Sequence, residues 1–253
     1  MTILVGTSTK MNLTSTEVGR YLDELCPLVA DLTDRELFVL LPFTSIFVAR
    51  DRLANTDIRW GAQDVHPEDA GAHTGDVSAP MLADLGCTYV EVGHHERRRD
   101  HGETDELIAA KIAAVHRWGM TAVLCVGEQE RLPFERVLDV VEHQVTSLRG
   151  ADPHRSIVAY EPSWAIGVGA FPARPEWVAR VHDAIGRTLA GSHPEGSSTP
   201  IIYGGSVDLD TAPVLLAQPA VDGLFVGRQA LDPSVFAAIA HAQPAGAPGS
   251  LGL

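Results

Sequence analysis

TAVLCVG (121–127), PFERVLDVVEHQVTSL (133–148) and SIVAYEP (156–162) follow one another in the middle of the chain. The first and third are short, almost continuously apolar and rich in branched residues. That is the pattern of parallel strands covered on both faces. The second is amphipathic at helical spacing. Strand, helix and strand in succession form one βαβ unit, and alternating units of this kind imply a parallel sheet.

Working outward, the same kind of run recurs as ILVGT (3–7), LFVLLP (37–42), IRWGAQ (58–63), TYVEVG (88–93), PIIYGG (200–205) and DGLFVG (222–227), which brings the total to eight. Amphipathic stretches lie between most of them. Over Thr16 to Leu32 the residues Val18, Tyr21, Leu22, Leu25, Leu28 and Val29 fall on one side of a helix. Asp105 to Trp118, ending before Gly119, and Pro175 to Leu189 are similar. The runs end roughly every 31 residues, the length of one βα unit. Eight units with nothing left over predict an α/β protein, a single-domain (β/α)8 barrel over residues 1–242. The glycine fingerprint of an open dinucleotide-binding sheet, GxGxxG after the first strand, is absent. A chain of 253 residues has the right length, since such barrels need roughly 250 residues. GSHPEGSSTP (191–200) reads as a surface loop and QPAGAPGSLGL (243–253) as a flexible end.

Composition narrows the function. Apolar residues make up 45% of the chain, enough for a large core, and no apolar run reaches membrane-spanning length. The start, MTILVGTSTKMN, has no secretory character. Three widely spaced cysteines, Cys26, Cys87 and Cys125, argue against a disulfide framework or a paired-ligand zinc site and for reduced cytoplasmic thiols. A formal charge of −14 repels nucleic acid and anionic lipid. An anionic substrate would therefore need local positive potential at its site.

In barrels of this kind the active site lies at the carboxyl ends of the strands. Glu161 closes the sixth run, where four preceding apolar residues should desolvate it and raise its basicity, as a general base requires. The alternative is a strand-end carboxylate paired with an arginine. SWAIGVGA (163–170), with Gly167 and Gly169 between Pro162 and Pro172, has the make-up of a rigid flap. His94 closes the fourth run beside Gly93, placed to donate to a carbonyl oxygen. Neighbours on a turn diverge, so of His94 and His95 only one is expected to face the mouth. Lys10 follows the first run and could supply the local positive charge. YGGSV (203–207) and FVGRQAL (225–231) close the last two runs, where backbone N–H groups can hold a phosphate.

These residues, with KMN near the start, FTSI (43–46), GAQD (61–64), GAHTGDVSAPML (71–82), GHHERR (93–98), GETDEL (102–107), CVGE (125–128) and AYEPSWAIGVG (159–169), resemble the triose-phosphate isomerase family over nearly the whole chain. The resemblance implies Glu161 as catalytic base, His94 as neutral electrophile and Lys10 as the cation near phosphate and oxyanion. It implies Gly167, Ser206, Gly227 and Arg228 as phosphate donors, with Glu96 and Cys125 in support. It implies no metal or cofactor, and a homodimer locked by the 71–76 loop with Thr74 inserted into the partner.

Several positions depart from the family pattern. Ser8 and Thr9 stand where Asn-Trp is usual, so a shorter side chain replaces the asparagine donor. Arg228 replaces the second glycine after the eighth run, His95 replaces a serine, and Val168-Gly169-Ala170 lacks the usual threonine and lysine. The Gly-Thr-Ser start and the Gly-Arg pair look like the branch acting on erythrulose phosphates in tetritol catabolism. Triose phosphate, a four-carbon ketose phosphate, and a catalytically silent binding barrel all stand as readings of the sequence.

Overall fold

The computed structural model describes residues 2–166, 172–192 and 199–246. Eight strands close into a parallel barrel in sequence order: β1 (Ile3–Ser8), β2 (Arg35–Leu41), β3 (Arg59–Ala62), β4 (Tyr89–Val92), β5 (Thr121–Val126), β6 (Ser156–Tyr160), β7 (Ile201–Tyr203) and β8 (Gly223–Val226). All eight coincide with the apolar runs. Closure is made by β1 on β8, with Leu4 paired to Gly223 and Thr7 to Val226.

The runs are apolar almost throughout because each strand has two dry faces. Along β5, Val123 and Cys125 point into the barrel while Ala122, Leu124 and Val126 pack outward. The interior is narrow, and Phe38 fills its middle, stacked on Tyr89 at 4.8 Å and on Phe225 at 5.9 Å. A Cβ at position 6 would lie 2.0 Å from the Phe38 ring, so Gly6 is the space that ring occupies.

Helices cover the outside. The first, α1 (Ser15–Leu28), is opened by a capping box between Thr14 and Glu17 and buries Val18, Tyr21, Leu22 and Leu25. It stops four residues before the sequence pattern does. Val29 and Leu32 still pack on the core, but Leu28 is 42% exposed. Pro27 withholds an N–H at the last turn, and the amide of Val29 bonds Cys26 O in a tighter loop.

Around the barrel follow α2 (Ile46–Leu53), α3 (Ala79–Asp84), α4 (His95–His101), α5 (Asp105–Arg117), α6 (Phe134–Val145), α7 (Pro175–Ser192), α8 (Ala212–Leu216) and α9 (Pro233–Ala240). At the C-terminal end the amide of Ala245 donates to Pro213 O. Residues 247–253 lie outside the described residues. No described helix is long and apolar enough to cross a membrane.

Where β3 meets β4, an ideal Cβ on Gly61 would lie 1.8 Å from the carbonyl oxygen of Tyr89. Both partners are backbone, so neither can rotate away. Gly61→Ala is expected to cost about 3 kcal/mol or more, at the upper end of overpacking effects. A urea-unfolding midpoint unchanged by the substitution would show that the two strands separate more easily than this contact implies.

Candidate active site

Glu161 follows β6 at the carboxyl rim, and its amide donates to Val126 O at 2.7 Å. The side chain turns inward and is buried. Two glycines make that turn possible. A Cβ on Gly204 would stand 2.5 Å from Glu161 Cγ, and one on Gly127 would stand 2.1 Å from Glu161 O. Among the described residues no arginine pairs with it, and histidines take the place of the arginine in the structural alternative raised from the sequence.

His94 is the N-cap of α4, and its Nδ1 accepts the amide N–H of Glu96 at 3.2 Å. An accepting Nδ1 makes the neutral ring the Nε2–H tautomer. Nε2 lies 3.1 Å from Glu161 Oε2. His95 does not diverge as the sequence reading expects: its Nδ1 is 3.7 Å from the same oxygen, and the two rings lie 4.3 Å apart. The reason is local. His95 begins a helix, where successive side chains turn by about 100° rather than alternating. Among the described residues, Glu161 Oε2, His94 Nε2 and His95 Nδ1 are buried without an aligned hydrogen-bond partner. Three polar atoms therefore converge with bonding capacity left over.

Lys10 reaches the same mouth from the loop after β1. It holds a left-handed backbone with φ 50°, unusual for a side-chain-bearing residue and of the kind that collects at functional sites. Gln63 fixes the loop by donating to Thr9 Oγ1, Lys10 O and Leu40 O. Lys10 Nζ bonds Glu96 Oε1 at 3.0 Å. Glu96 thus serves both the lysine, through its carboxylate, and His94, through its amide. Arg97 and Arg98 hold the frame: Arg97 joins Asp64 and Glu103, which also bind the buried Lys111, and Arg98 joins Gly93 O and Asp105.

The electrostatics correct one expectation. Burial alone would raise the Glu161 carboxyl, as the sequence suggested, but His94, His95 and Lys10 outweigh it and hold the pKa at about 2. For His94 burial lowers the pKa, yet the Glu161 carboxylate raises it above the ordinary histidine value. Burial likewise works against the Lys10 charge, but Glu161 and Glu96 hold it raised. Glu161 and His94 thus satisfy each other electrostatically.

Ser8 and Cys125 converge on a residue the sequence reading passed over. Glu91, in the middle of β4, is a fully buried carboxylate that accepts from Ser8 Oγ at 2.8 Å and from Cys125 Sγ at 3.6 Å. A charge inside the otherwise apolar run TYVEVG was the available signal. A second omission is Glu128, one residue beyond the fifth run. It accepts from Trp164 Nε1 at 2.7 Å and Tyr160 Oη at 3.2 Å, while its carbonyl takes the amide of Ser163. Glu128 therefore anchors the segment leading into the expected flap.

At the far side, the amide and hydroxyl of Ser206 both donate to Ala165 O, at 3.2 and 2.6 Å. Those donors reach a phosphate only if that contact opens. Gly227 caps a 3-10 turn at Arg228–Leu231, and Arg228 is exposed. Gly167 and the flap residues 168–170 lie outside the described residues.

Potential metal ligands also sit close together. Ligand atoms of His94, His95 and Glu161, and separately of Glu91, Cys125 and Glu161, lie within 4.8 Å of one another. The Lys10 ammonium acts on the same carboxylates, and burial holds the Cys125 thiol well above its usual pKa, so the second set lacks a thiolate.

The family model for triosephosphate isomerase matches residues 3–243. Triosephosphate isomerase of Aquifex aeolicus (strain VF5) is 40% identical over 243 residues, covering 94% of this chain and 98% of that protein. L-erythrulose-1-phosphate isomerase of Mesorhizobium japonicum is 41% identical over 233 residues, covering 89% and 91%. The crystal structure of triosephosphate isomerase from Bartonella henselae superposes with a TM-score of 0.84 at 32% identity, covering 94% of this chain and 98% of that one. The chain belongs to the triosephosphate isomerase family.

Proposed function

We propose that the chain is an aldose–ketose isomerase that interconverts glyceraldehyde 3-phosphate and dihydroxyacetone phosphate through an enediolate. The observation that carries this reading is the convergence of three buried polar atoms without an aligned hydrogen bond, on Glu161, His94 and His95, beside a Lys10 of left-handed backbone. The tuned glutamate and neutral histidine are the established arrangement of this family. What this chain adds is how the two are held before substrate arrives.

A substrate carbonyl entering between Glu161 and His94 separates them. Glu161 then loses its main stabilising neighbour while remaining buried, and desolvation raises its basicity. His94, with Nδ1 accepting from Glu96, donates Nε2–H to the carbonyl oxygen. Glu161 takes the proton from the adjacent carbon, Lys10 and His94 stabilise the enediolate oxygens, and the proton returns on the neighbouring carbon. Proton transfer of this kind calls on no metal or cofactor. Ser206, Gly227, Arg228 and Gly167 form the phosphate end, Ser8 lines the floor, and Glu96 and Cys125 support the reacting groups. The bonding capacity left in the mouth favours catalysis over a silent barrel.

A second reading, a four-carbon ketose phosphate, draws support from Ser8, whose hydroxyl is drawn to Glu91. The partner is a second copy of the chain docked through residues 71–76. That loop is largely exposed, and Met11, next to Lys10, is 98% exposed. Free thiols at Cys26, Cys87 and Cys125 fit a reducing, cytoplasmic compartment.

Glu161→Asp withdraws the carboxylate by one methylene and is expected to lower kcat for the triose at least a hundredfold, as misplacement by about 1 Å does. Turnover within a few-fold of wild type would remove Glu161 from the role of base. Gel filtration is expected to give a dimer; a monomer at micromolar concentration would remove the docking loop from the account.

The pair also predicts a pH signature. The lowered Glu161 contributes stability above its ordinary value of 4.5, lost as pH falls toward about 2. The raised His94 contributes below its ordinary value of 6.5, lost as pH rises through its raised pKa. The melting temperature of wild type relative to Glu161→Gln should therefore peak between about pH 4.5 and 6.5. A difference that stays flat from acid to alkali would show that the two groups are not coupled.

A further inference from the structure

Glu91 is a buried acidic group inside the barrel that the isomerase chemistry above does not use. It sits on β4 opposite Val123 of β5, with 2% of its surface exposed, in an interior otherwise lined by Tyr89, Val123 and Ala159. Its bonding is thin for a carboxyl so deep. One oxygen has the Ser8 hydroxyl at 2.8 Å, and the other has only the Cys125 thiol at 3.6 Å, a weak donor. Burying such a group with so few partners is costly, and an apolar side chain would fit its strand neighbours at less expense.

Its position relative to the base is informative. A carboxylate oxygen of Glu91, Cys125 Sγ and a carboxylate oxygen of Glu161 all lie within 4.8 Å of one another. Glu91 therefore lies next to the Glu161 carboxylate in the barrel interior. The groups acting on it are Ser8 and Lys10 from the β1 side, His94 from the end of β4, Cys125 from β5 and Glu161 from β6. Burial raises its pKa, His94 opposes this, and Glu161 adds to the rise.

A triose phosphate and a four-carbon ketose 1-phosphate differ at one place. The carbon that gives up its proton carries only its hydroxyl in dihydroxyacetone phosphate, but a hydroxymethyl group as well in the longer compound. With Glu161 acting on that carbon, the Glu91 carboxyl, with an oxygen within 4.8 Å of a Glu161 oxygen, is a nearby polar group suited to the extra hydroxyl. We propose that Glu91, propped by Ser8, is a specificity-determining residue that hydrogen-bonds the hydroxymethyl group on the reacting carbon of a four-carbon ketose phosphate.

This rests on the isomerase reading above and deepens it. The reaction balances without a co-reactant. The C3 hydrogen leaves as a proton to Glu161 and its electron pair becomes the C2–C3 double bond. The hydroxyl proton passes from O3 to O2 through His94, and the proton on Glu161 returns to C2. The carbonyl moves from C2 to C3, while phosphate and hydroxymethyl stay in place.

The test compares kcat/KM for L-erythrulose 1-phosphate and for glyceraldehyde 3-phosphate in wild type, Glu91→Gln and Glu91→Leu. The four-carbon to three-carbon ratio is expected to fall roughly a hundredfold in Glu91→Leu, the loss of a polar contact that leaves a substrate hydroxyl unpaired. Glu91→Gln, which keeps shape and bonding capacity, should restore most of the ratio, and it keeps the test open if the leucine variant folds poorly. Equal losses on both substrates, an unchanged ratio in Glu91→Leu, or a wild type that turns over the triose alone would overturn the assignment to Glu91 and leave the isomerase reading standing. Turnover of neither compound by wild type would overturn the isomerase reading and this one together.

Discussion

The contact between Glu161 and His94 organises this molecule's chemistry. Two buried groups of opposite tendency lie 3.1 Å apart, each shifted by the other against the pull of its own burial. The charge held in the dry mouth is stable only while its partners remain. On the proposed reading, a ligand that separates the two exposes the effect of burial on the carboxylate and makes it a base. The site is then activated by the substrate's own entry, with no movement of the scaffold required for the electrostatic part.

The rest of the barrel keeps that contact in place. Gly204 and Gly127 leave room for the Glu161 side chain and backbone. The Glu96 amide orients the His94 ring, and the Glu96 carboxylate holds Lys10. Behind α4, the Asp64–Arg97–Glu103–Lys111 cluster joins the end of β3 to two helices. Below, Ser8, Glu91 and Cys125 form a polar floor in an apolar interior. The departure at position 8 is tied to this floor, because the Ser8 hydroxyl donates to Glu91.

Much of this was legible in the order of residues. Eight apolar runs marked eight strands because strands with two dry faces must be apolar throughout, and the rim residues stood out because each run ended in one. Glu161, His94 and Lys10 were found this way. Glu128 lies one residue beyond the fifth run, behind its closing Gly127, so it does not stand out as a run-ending residue. Glu91 broke the rule: a carboxylate within a strand has no sequence signature separating an inward direction from an outward one.

Hydrophobic periodicity was therefore enough to determine the barrel, and the residues at the ends of its runs were enough to single out Glu161, His94 and Lys10 as candidates. Both are properties of neighbours along the chain. The sign of the Glu161 shift, the shared approach of His94 and His95, and the pairing of Ser8 with Glu91 were decided only by the tertiary structure. Each depends on distances between side chains carried by different strands, or on the turn of a helix at its first residue. Burial pushes a carboxylate one way and its neighbours push it the other, and which prevails is set by ångströms that only the closed barrel defines.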